Sequence, residues 1–283
     1  MNGENLRLDA ERMLAGINAL PSLPTMVAEL LASIDDATAD TDAIARRIAH
    51  DQGLTTRILR VANSPFYGHS HRIASIADAV IVLGLRSVRA LAVAASFASV
   101  FKAGTDTEEE LRAFWKHGIA AALCARVLAR RVGVPEEEAF IGGLLHDIGR
   151  VALVTCFPRH MAAVAAYRRE CDCSPIDAER AVLGIDHAEV GRLLAERWRF
   201  PPALCAAIGC HHAPPVDAYR ALPGILHLAN VIASALDVGG EADALVPCPD
   251  PACWEAAALS ADESERLFAE VEAQFGEICE ILV

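Results

Sequence analysis

The stretch Phe140-Ile-Gly-Gly-Leu-Leu-His-Asp-Ile-Gly149 decides how the rest of the chain is interpreted, because it sets an adjacent histidine and aspartate into an apolar segment. Pro135 and three glutamates precede it, which is typical of the first turn of a helix, where negative charge complements the helix dipole. We therefore predict one helix that carries His146 and Asp147 in its body. An imidazole beside a carboxylate can ligate metal ions, although a buried polar pair explains the two residues equally well when they are taken alone.

The segments on both sides carry helical rather than strand periodicity, and no strand alternation of useful length is present. The pattern predicts a long amphipathic helix over Glu108 to Val132 and N-caps at Ser75 and Ser87 on the two sides of Gly84. Further helices are predicted to start at Ser174-Pro175 and at Pro201-Pro202. The helix that holds His227 and Asn230 is predicted to end at Gly239-Gly240, and a terminal helix is predicted to follow a capping box formed by Ser260 and Glu263. The predicted fold class is all-α.

Composition narrows the classes of function. Of the 283 residues, 53% are hydrophobic, and 25 basic against 38 acidic side chains give a formal charge of −13. A chain this acidic repels phosphate backbones and anionic lipids, so we expect no nucleic-acid partner and no membrane. The N-terminus lacks the basic and apolar regions of a secretory signal, and the most apolar segment, Ala90 to Phe101, is too short to span a bilayer. The nine scattered cysteines fit a reduced protein, and we expect a cytoplasmic location.

Six residues stand out as candidate metal ligands, and each lies on a predicted helix or at its end: His117, His146, Asp147, His187, His211 and His212. A lone histidine on a helix is usually a surface residue or a hydrogen-bonded core residue, and paired histidines are common at helix C-termini. Arg150, one turn beyond His146, is most simply an ion-pair partner of Asp147. Unrelated histidines on four helices are a less frequent explanation than one shared site, because the helices of a bundle can bring ligands to one interior point.

The string His146-Asp147-Ile-Gly149, with His117 upstream and His187 and His211-His212 downstream, resembles the HD superfamily of metal-dependent phosphohydrolases. Four N-terminal strings narrow the resemblance to the HDOD (HD-related output domain) family: Leu20-Pro-Ser-Leu-Pro24, Asp51-Gln-Gly-Leu54, Arg60-Val-Ala-Asn-Ser-Pro-Phe-Tyr-Gly68 and Ala79-Val-Ile-Val-Leu-Gly84. The resemblance implies a multi-helix HD-like bundle with an N-terminal helical lobe. It divides the chain into that lobe over 1–104, an HD-like lobe with the candidate metal site over 105–240, and a linker with a C-terminal helix over 241–283.

The resemblance also implies roles for the candidate ligands. His117, His146 and Asp147 would hold a first metal, Asp147 would bridge, and His187 with His211 or His212 would hold a second. The closing aspartate of the pattern falls at Asn230, the glutamate that related HD-GYP phosphodiesterases carry before the first histidine falls at Ala113, and the Gly-Tyr-Pro signature is absent. Asp147 is then the only anionic ligand, and two divalent ions need more negative charge. We expect no cofactor, or one weakly bound divalent metal (iron, manganese or zinc).

Two functions follow from the resemblance. The first is a bacterial signal-transduction domain that acts through protein contacts and has no catalytic activity; its partners are unknown signalling proteins and its oligomeric state is open. The second is a metal-dependent phosphohydrolase acting on a nucleotide or cyclic dinucleotide, with Arg150 against a substrate phosphate. A third hypothesis, a metal or redox sensor, would use Cys171 and Cys173 or Cys248 and Cys253. The loop from Asn63 to Gly68 either binds a partner or fills the junction between the lobes with Phe66 and Tyr67.

Overall fold

A computed structural model of the chain describes residues 6–8, 10–20, 25–32, 40–64, 67, 72–100, 108–237 and 245–282. These ranges contain helices and no strand, which confirms the predicted all-α class. The elements in chain order are α1 (Ala10–Ala19), α2 (Thr25–Ala32), α3 (Thr41–His50), α4 (Gln52–Ala62), α5 (Ile76–Val100), α6 (Glu108–Val132), α7 (Glu136–Leu145), α8 (Ile148–Cys156), α9 (Pro158–Cys171), α10 (Pro175–Leu183), α11 (His187–Arg197), α12 (Pro202–Cys210), a 3-10 helix (Val216–Ala218), α13 (Leu222–Leu236), α14 (Pro251–Ala257) and α15 (Ala261–Leu282).

Helix α5 bends at Gly84, whose φ of 83° and ψ of 156° lie in a region that residues with a side chain rarely adopt. Ser75 caps the start of this helix as predicted, since its hydroxyl accepts a hydrogen bond from the backbone N–H of Asp78 at 3.0 Å. The predicted N-cap at Ser87 is wrong. The Ser87 hydroxyl lies inside α5 and donates to the carbonyl of Leu83, because the chain resumes helical geometry directly after the bend.

Of the predicted junction loop, the structure describes Asn63, Ser64 and Tyr67, whereas Phe66 and Gly68 lie outside the described residues. The ring of Tyr67 packs against the hydrophobic core, and the guanidinium of Arg126 on α6 lies 5.1 Å from the ring centroid. Burial raises the pKa of the Tyr67 hydroxyl to about 12. For Tyr67, the contacts therefore favour the interpretation that the loop fills the junction between the N-terminal helices and α6.

Helix α6 runs through the middle of the C-terminal half and packs against α7, α13 and α15, while α11 packs against α8 and α12. The contact between α8 and α11 is made by backbone. A Cβ atom added at Gly149 would lie only 1.9 Å from the carbonyl oxygen of His187, so glycine is required at this position. This close approach places the start of α8, directly after Asp147, against the first turn of α11.

The chain after α13 contains a helix that the sequence analysis did not predict. Helix α13 ends at Leu236, and the predicted end at Gly239-Gly240 lies outside the described residues. Residues 245–250 are not helical, but α14 begins at Pro251 and was not predicted. The capping box before α15 is confirmed, since the Ser260 N–H donates to the Glu263 carboxylate at 2.9 Å and the Glu263 N–H donates back to the Ser260 hydroxyl at 3.3 Å.

One stretch of the described residues, 136–156, is long and apolar enough to cross a membrane by length and composition. It consists of α7, the turn at His146 and Asp147, and α8, and 78% of its most apolar part is buried inside the bundle. Burial among other helices is typical of core helices, which meet the same length and composition criteria.

Candidate metal centre

His146 and Asp147 lie at a break between two helices, and the prediction that one helix carries them in its body is wrong. Helix α7 ends at Leu145, and α8 begins at Ile148. Asp147 leaves helical geometry at φ −97° and ψ 13°, and the chain turns there before α8 starts. The turn directs both side chains into the bundle, where Asp147 is 5% exposed and His146 is 1% exposed.

The other candidate histidines come from three further elements. His187 is the first residue of α11, behind an N-cap formed by Asp186, and His211 and His212 directly follow α12. His117 lies within α6. The side-chain ligand atoms form two groups that share one carboxylate, with all atoms of a group within 4.8 Å of one another: Asp147 with His187, His211 and His212, and Asp147 with His117 and His146.

The carboxylate oxygen Oδ1 of Asp147 is the centre of this arrangement. It lies 3.2 Å from Nε2 of His187, 3.4 Å from Nε2 of His211 and 3.5 Å from Nε2 of His146. Nε2 of His187 also lies 2.8 Å from Nε2 of His212. Four imidazole rings therefore direct the same ring nitrogen towards one small volume beside one carboxylate.

Hydrogen bonds on the far side of two rings, those of His146 and His211, decide which nitrogen carries the proton. Nδ1 of His146 lies 2.7 Å from the carbonyl oxygen of Gly143, and Nδ1 of His211 lies 2.8 Å from that of Ile208. A carbonyl oxygen can only accept, so Nδ1 must donate, and in the neutral ring Nε2 is left with a lone pair. Burial lowers the pKa of His146 to about 3, so this ring is neutral.

The lone pairs at the centre have no hydrogen-bond partner. Nε2 of His146, Nε2 of His211 and Oδ1 of Asp147 are all buried without a hydrogen bond of normal geometry. Several converging acceptors, buried and unsatisfied, carry a large free-energy cost unless a cation lies between them. Imidazole nitrogen with one carboxylate oxygen is a donor set that suits iron, manganese and zinc. The residues present therefore fit a divalent metal ion.

Glu179 lies behind His187 and holds it by hydrogen bonds. The sequence analysis did not identify this residue. Its Oε2 accepts hydrogen bonds from Nδ1 of His187 at 2.6 Å and from the His187 backbone N–H at 2.7 Å, and the side chain is 1% exposed. Burial lowers the pKa of His187, but the carboxylates of Glu179 and Asp147 outweigh it and raise the pKa to about 10. A carboxylate behind a histidine orients the ring and raises its basicity, as in many metal sites.

Asn230 faces His117 across the second group. Its Oδ1 lies 3.0 Å from Nε2 of His117, so that nitrogen is engaged by the amide. Ala113, one turn before His117, offers only a methyl group where the related phosphodiesterases have a glutamate. The group of Asp147, His187, His211 and His212 is the better donor set for an ion, because it offers three imidazoles beside the carboxylate and the second group offers two.

A cleft of about 440 Å³ opens over the centre. Its lining includes ligand atoms of both groups and three arginines, Arg150, Arg168 and Arg180. Nη1 of Arg150 lies 3.4 Å from Oδ2 of Asp147, and Nε of Arg180 donates to Asp186 at 2.8 Å. The lining aspartates are Asp147 and Asp237, so the described lining is net positive even before an ion is counted. Such a cleft attracts anions.

Cysteines take no part in this geometry. Among the described residues, the groups with metal-site geometry contain no cysteine, and all nine cysteines are free thiols. Cys171 and Cys248 are exposed, and Cys253 is buried. The contacts give no support to the hypothesis of a cysteine-based sensor.

Comparisons with known proteins agree with this architecture. The sequence profile of the HDOD domain matches residues 20–214, which is more than half of the chain. A protein of Shewanella amazonensis SB2B, named "Putative phosphohydrolase", has a solved structure with 30% identity and a TM-score of 0.74, over 96% of this chain and 98% of that one. An HDOD domain protein of unknown function from Geobacter sulfurreducens is 26% identical with a TM-score of 0.77, over 97% and 98% of the two chains.

A further relative is an uncharacterized protein of Treponema pallidum (strain Nichols), which is 27% identical over 225 residues. The match covers 78% of this chain but only 43% of the relative, so the chain spans less than half the length of that protein.

Proposed function

The chain belongs to the HDOD domain family, and we propose that it is a regulatory domain whose histidine–aspartate centre holds one divalent transition-metal ion beside a cleft for a phosphate-bearing ligand. The observation that carries the proposal is the convergence of the unsatisfied Nε2 atoms of His146 and His211 on Oδ1 of Asp147. The regulatory output passes to a protein partner, as the resemblance to signalling domains implies.

Charge favours one ion over two. Asp147 contributes one negative charge at the centre, and Glu179 contributes a second through the ring of His187. Together they balance a single divalent ion, whereas a second ion would stay uncompensated because Asn230 is neutral. Bound there, the ion would supply Lewis-acid polarisation to a phosphoryl group.

The arginines support the ligand class. A guanidinium presents its N–H groups as a planar fork that matches two oxygens of a phosphate group. Arg150 stands closest to the centre, 3.4 Å from Asp147, and is half-buried. A phosphate that reached the ion would therefore meet the Arg150 guanidinium at the same time.

Metal titration tests the proposal. The metal-free chain is titrated with Mn²⁺, Zn²⁺ and, without oxygen, Fe²⁺, and one equivalent is expected to bind. Asp147→Asn removes the carboxylate that the two ligand groups share and is expected to weaken binding by at least about tenfold. His50→Gln changes an exposed histidine on α3 and serves as the matched control. Equal affinity of Asp147→Asn and the unaltered chain would refute the proposal.

Phosphoester hydrolysis is the second candidate function. The specific observation in its favour is the position of Arg150 next to the centre, where it would face a substrate phosphate. Ala113 and Asn230 count against it, because both replace carboxylates that help to hold and activate metal ions in the related enzymes. A screen of phosphate mono- and diesters with the metal-loaded chain separates the two functions. Turnover that disappears in His146→Ala would establish hydrolysis, and its absence from the metal-loaded chain would leave ligand binding.

A further inference from the structure

The cleft has an apolar part that metal binding and phosphate binding do not use. Besides the arginines, its lining includes Leu245, Val246 and Pro247, which precede α14. Leu245 is 51% exposed and Val246 is 53% exposed. Large aliphatic side chains that are half-exposed beside a ligand cleft lose contact with water when an apolar group covers them, and this stabilises the complex.

This apolar wall is connected to the metal centre by hydrogen bonds through His227. The backbone N–H of Asp250 donates to Nε2 of His227 at 2.9 Å, and Nδ1 of His227 donates to the carbonyl oxygen of His211 at 2.9 Å. The hydroxyl of Tyr219 donates to the Asp250 carboxylate at 2.8 Å. His227 is 4% exposed, so it connects the segment before α14 directly to the turn that carries a candidate ligand.

Size and position point to a ligand larger than an inorganic anion. The cleft of about 440 Å³ lies in the range of roughly 300–1,000 Å³ that is usual for small organic ligands. The wall lies beyond residue 214, where the match to the family profile ends. The wall therefore adds a surface for recognition outside the range that the HDOD profile matches.

We propose that Leu245, Val246 and Pro247 form a subsite for the apolar organic group of a phosphate monoester whose phosphate lies between the centre and the arginines. The proposal rests on the phosphate ligand of the proposed function and adds the class of group attached to it. His227 is a positioning residue, because it fixes the wall relative to His211 without lining the cleft.

Two phosphonates that cannot be hydrolysed test the subsite. Methylphosphonate and phenylphosphonate carry the same anionic group, and calorimetry gives the affinity of each for the metal-loaded full chain. We expect phenylphosphonate to bind about tenfold more tightly, because its ring covers the wall. The double variant Leu245→Ser/Val246→Ser is expected to remove most of this difference and to leave the affinity for methylphosphonate unchanged.

A control and a second variant sharpen the result. Ile81→Ser alters an aliphatic side chain on α5 that is 82% exposed and does not line the cleft, so it should leave both affinities unchanged. His227→Phe keeps the volume of the buried ring but removes both hydrogen bonds, and it should reduce the preference for the phenyl compound.

Equal affinities for the two phosphonates in the unaltered chain would overturn the subsite, and so would equal weakening of both compounds in the double variant. Failure of both compounds to bind would overturn it as well. The metal content of each sample, measured in parallel, tests the metal part of the proposed function separately. A chain that retains one equivalent of metal but shows no preference for phenylphosphonate refutes the subsite alone.

Discussion

Replacing Glu179 by glutamine tests whether the carboxylate behind His187 supports metal binding. Its Oε2 accepts two short hydrogen bonds, at 2.6 Å from Nδ1 of His187 and at 2.7 Å from the backbone. Glutamine retains an oxygen acceptor of the same size, so the geometry is kept while the charge is lost. A hydrogen bond to a charged acceptor contributes about 1.5–3 kcal/mol, against about 0.5–1.5 kcal/mol for a neutral one.

The difference for the Nδ1 bond is about 1–2 kcal/mol, which lowers the affinity for a divalent ion by about fivefold to thirtyfold. Competition with a fluorescent chelator at constant pH measures this change. Glu196→Gln is the matched control, since Glu196 lies on α11, pairs with Arg192 at the surface and does not contact the centre. If Glu179→Gln binds metal as tightly as Glu196→Gln does, the argument that Glu179 acts through His187 is refuted.

Three further predictions address packing, charge and protonation. Gly149→Ala is expected to lower the free energy of unfolding, measured in urea, by about 3 kcal/mol, because the added Cβ would lie 1.9 Å from the carbonyl oxygen of His187. In the control Gly276→Ala, the added Cβ meets nothing within 4 Å. Equal stability of the two variants would contradict the account. Asn230→Asp adds a carboxylate 3.0 Å from Nε2 of His117 and is expected to raise the metal-to-protein ratio in equilibrium dialysis from one towards two. If both the ratio and the metal affinity stay the same, the charge argument is contradicted. Metal affinity measured from pH 8 to pH 6 is expected to fall about tenfold per pH unit, because the ion must displace a proton from His187. The carboxylates of Glu179 and Asp147 outweigh burial and raise the pKa of His187 to about 10, so the proton is held throughout this range. An affinity independent of pH would count against His187 as a ligand.

Helix positions were largely predictable from local signals. The helix over Glu108 to Val132 has the predicted bounds, and the capping box at Ser260 and Glu263 forms as expected. Both depend on neighbouring residues, so the sequence contains what is needed. The break at His146 and Asp147 was not predictable in this way, because no proline marks it and apolar residues continue on both sides.

The candidate metal ligands could be predicted from the sequence, but the residue that hydrogen-bonds one of them from behind could not. The candidate histidines carried a recognisable pattern, and the fold brings all of them around Asp147. Glu179 gave no signal, since a glutamate followed by arginine on an amphipathic helix is typical of a solvated surface, and only the turn at Gly184 returns the chain so that His187 meets it. Helix α14 was missed although Asp250 and Pro251 form an ordinary N-cap and first turn, because the sequence analysis assigned residues 241–283 to a linker and one C-terminal helix.

The most direct test of the central claim is X-ray absorption at the zinc edge, combined with elemental analysis, on the chain reconstituted with Zn²⁺ and dialysed. The account predicts close to one ion per chain, with imidazole nitrogen and carboxylate oxygen as ligands and no sulfur, and loss of that ion in Asp147→Asn. A chain that retains no ion after dialysis, or an ion bound by cysteine sulfur, would contradict the claim that the converging Nε2 atoms around Asp147 form a metal site.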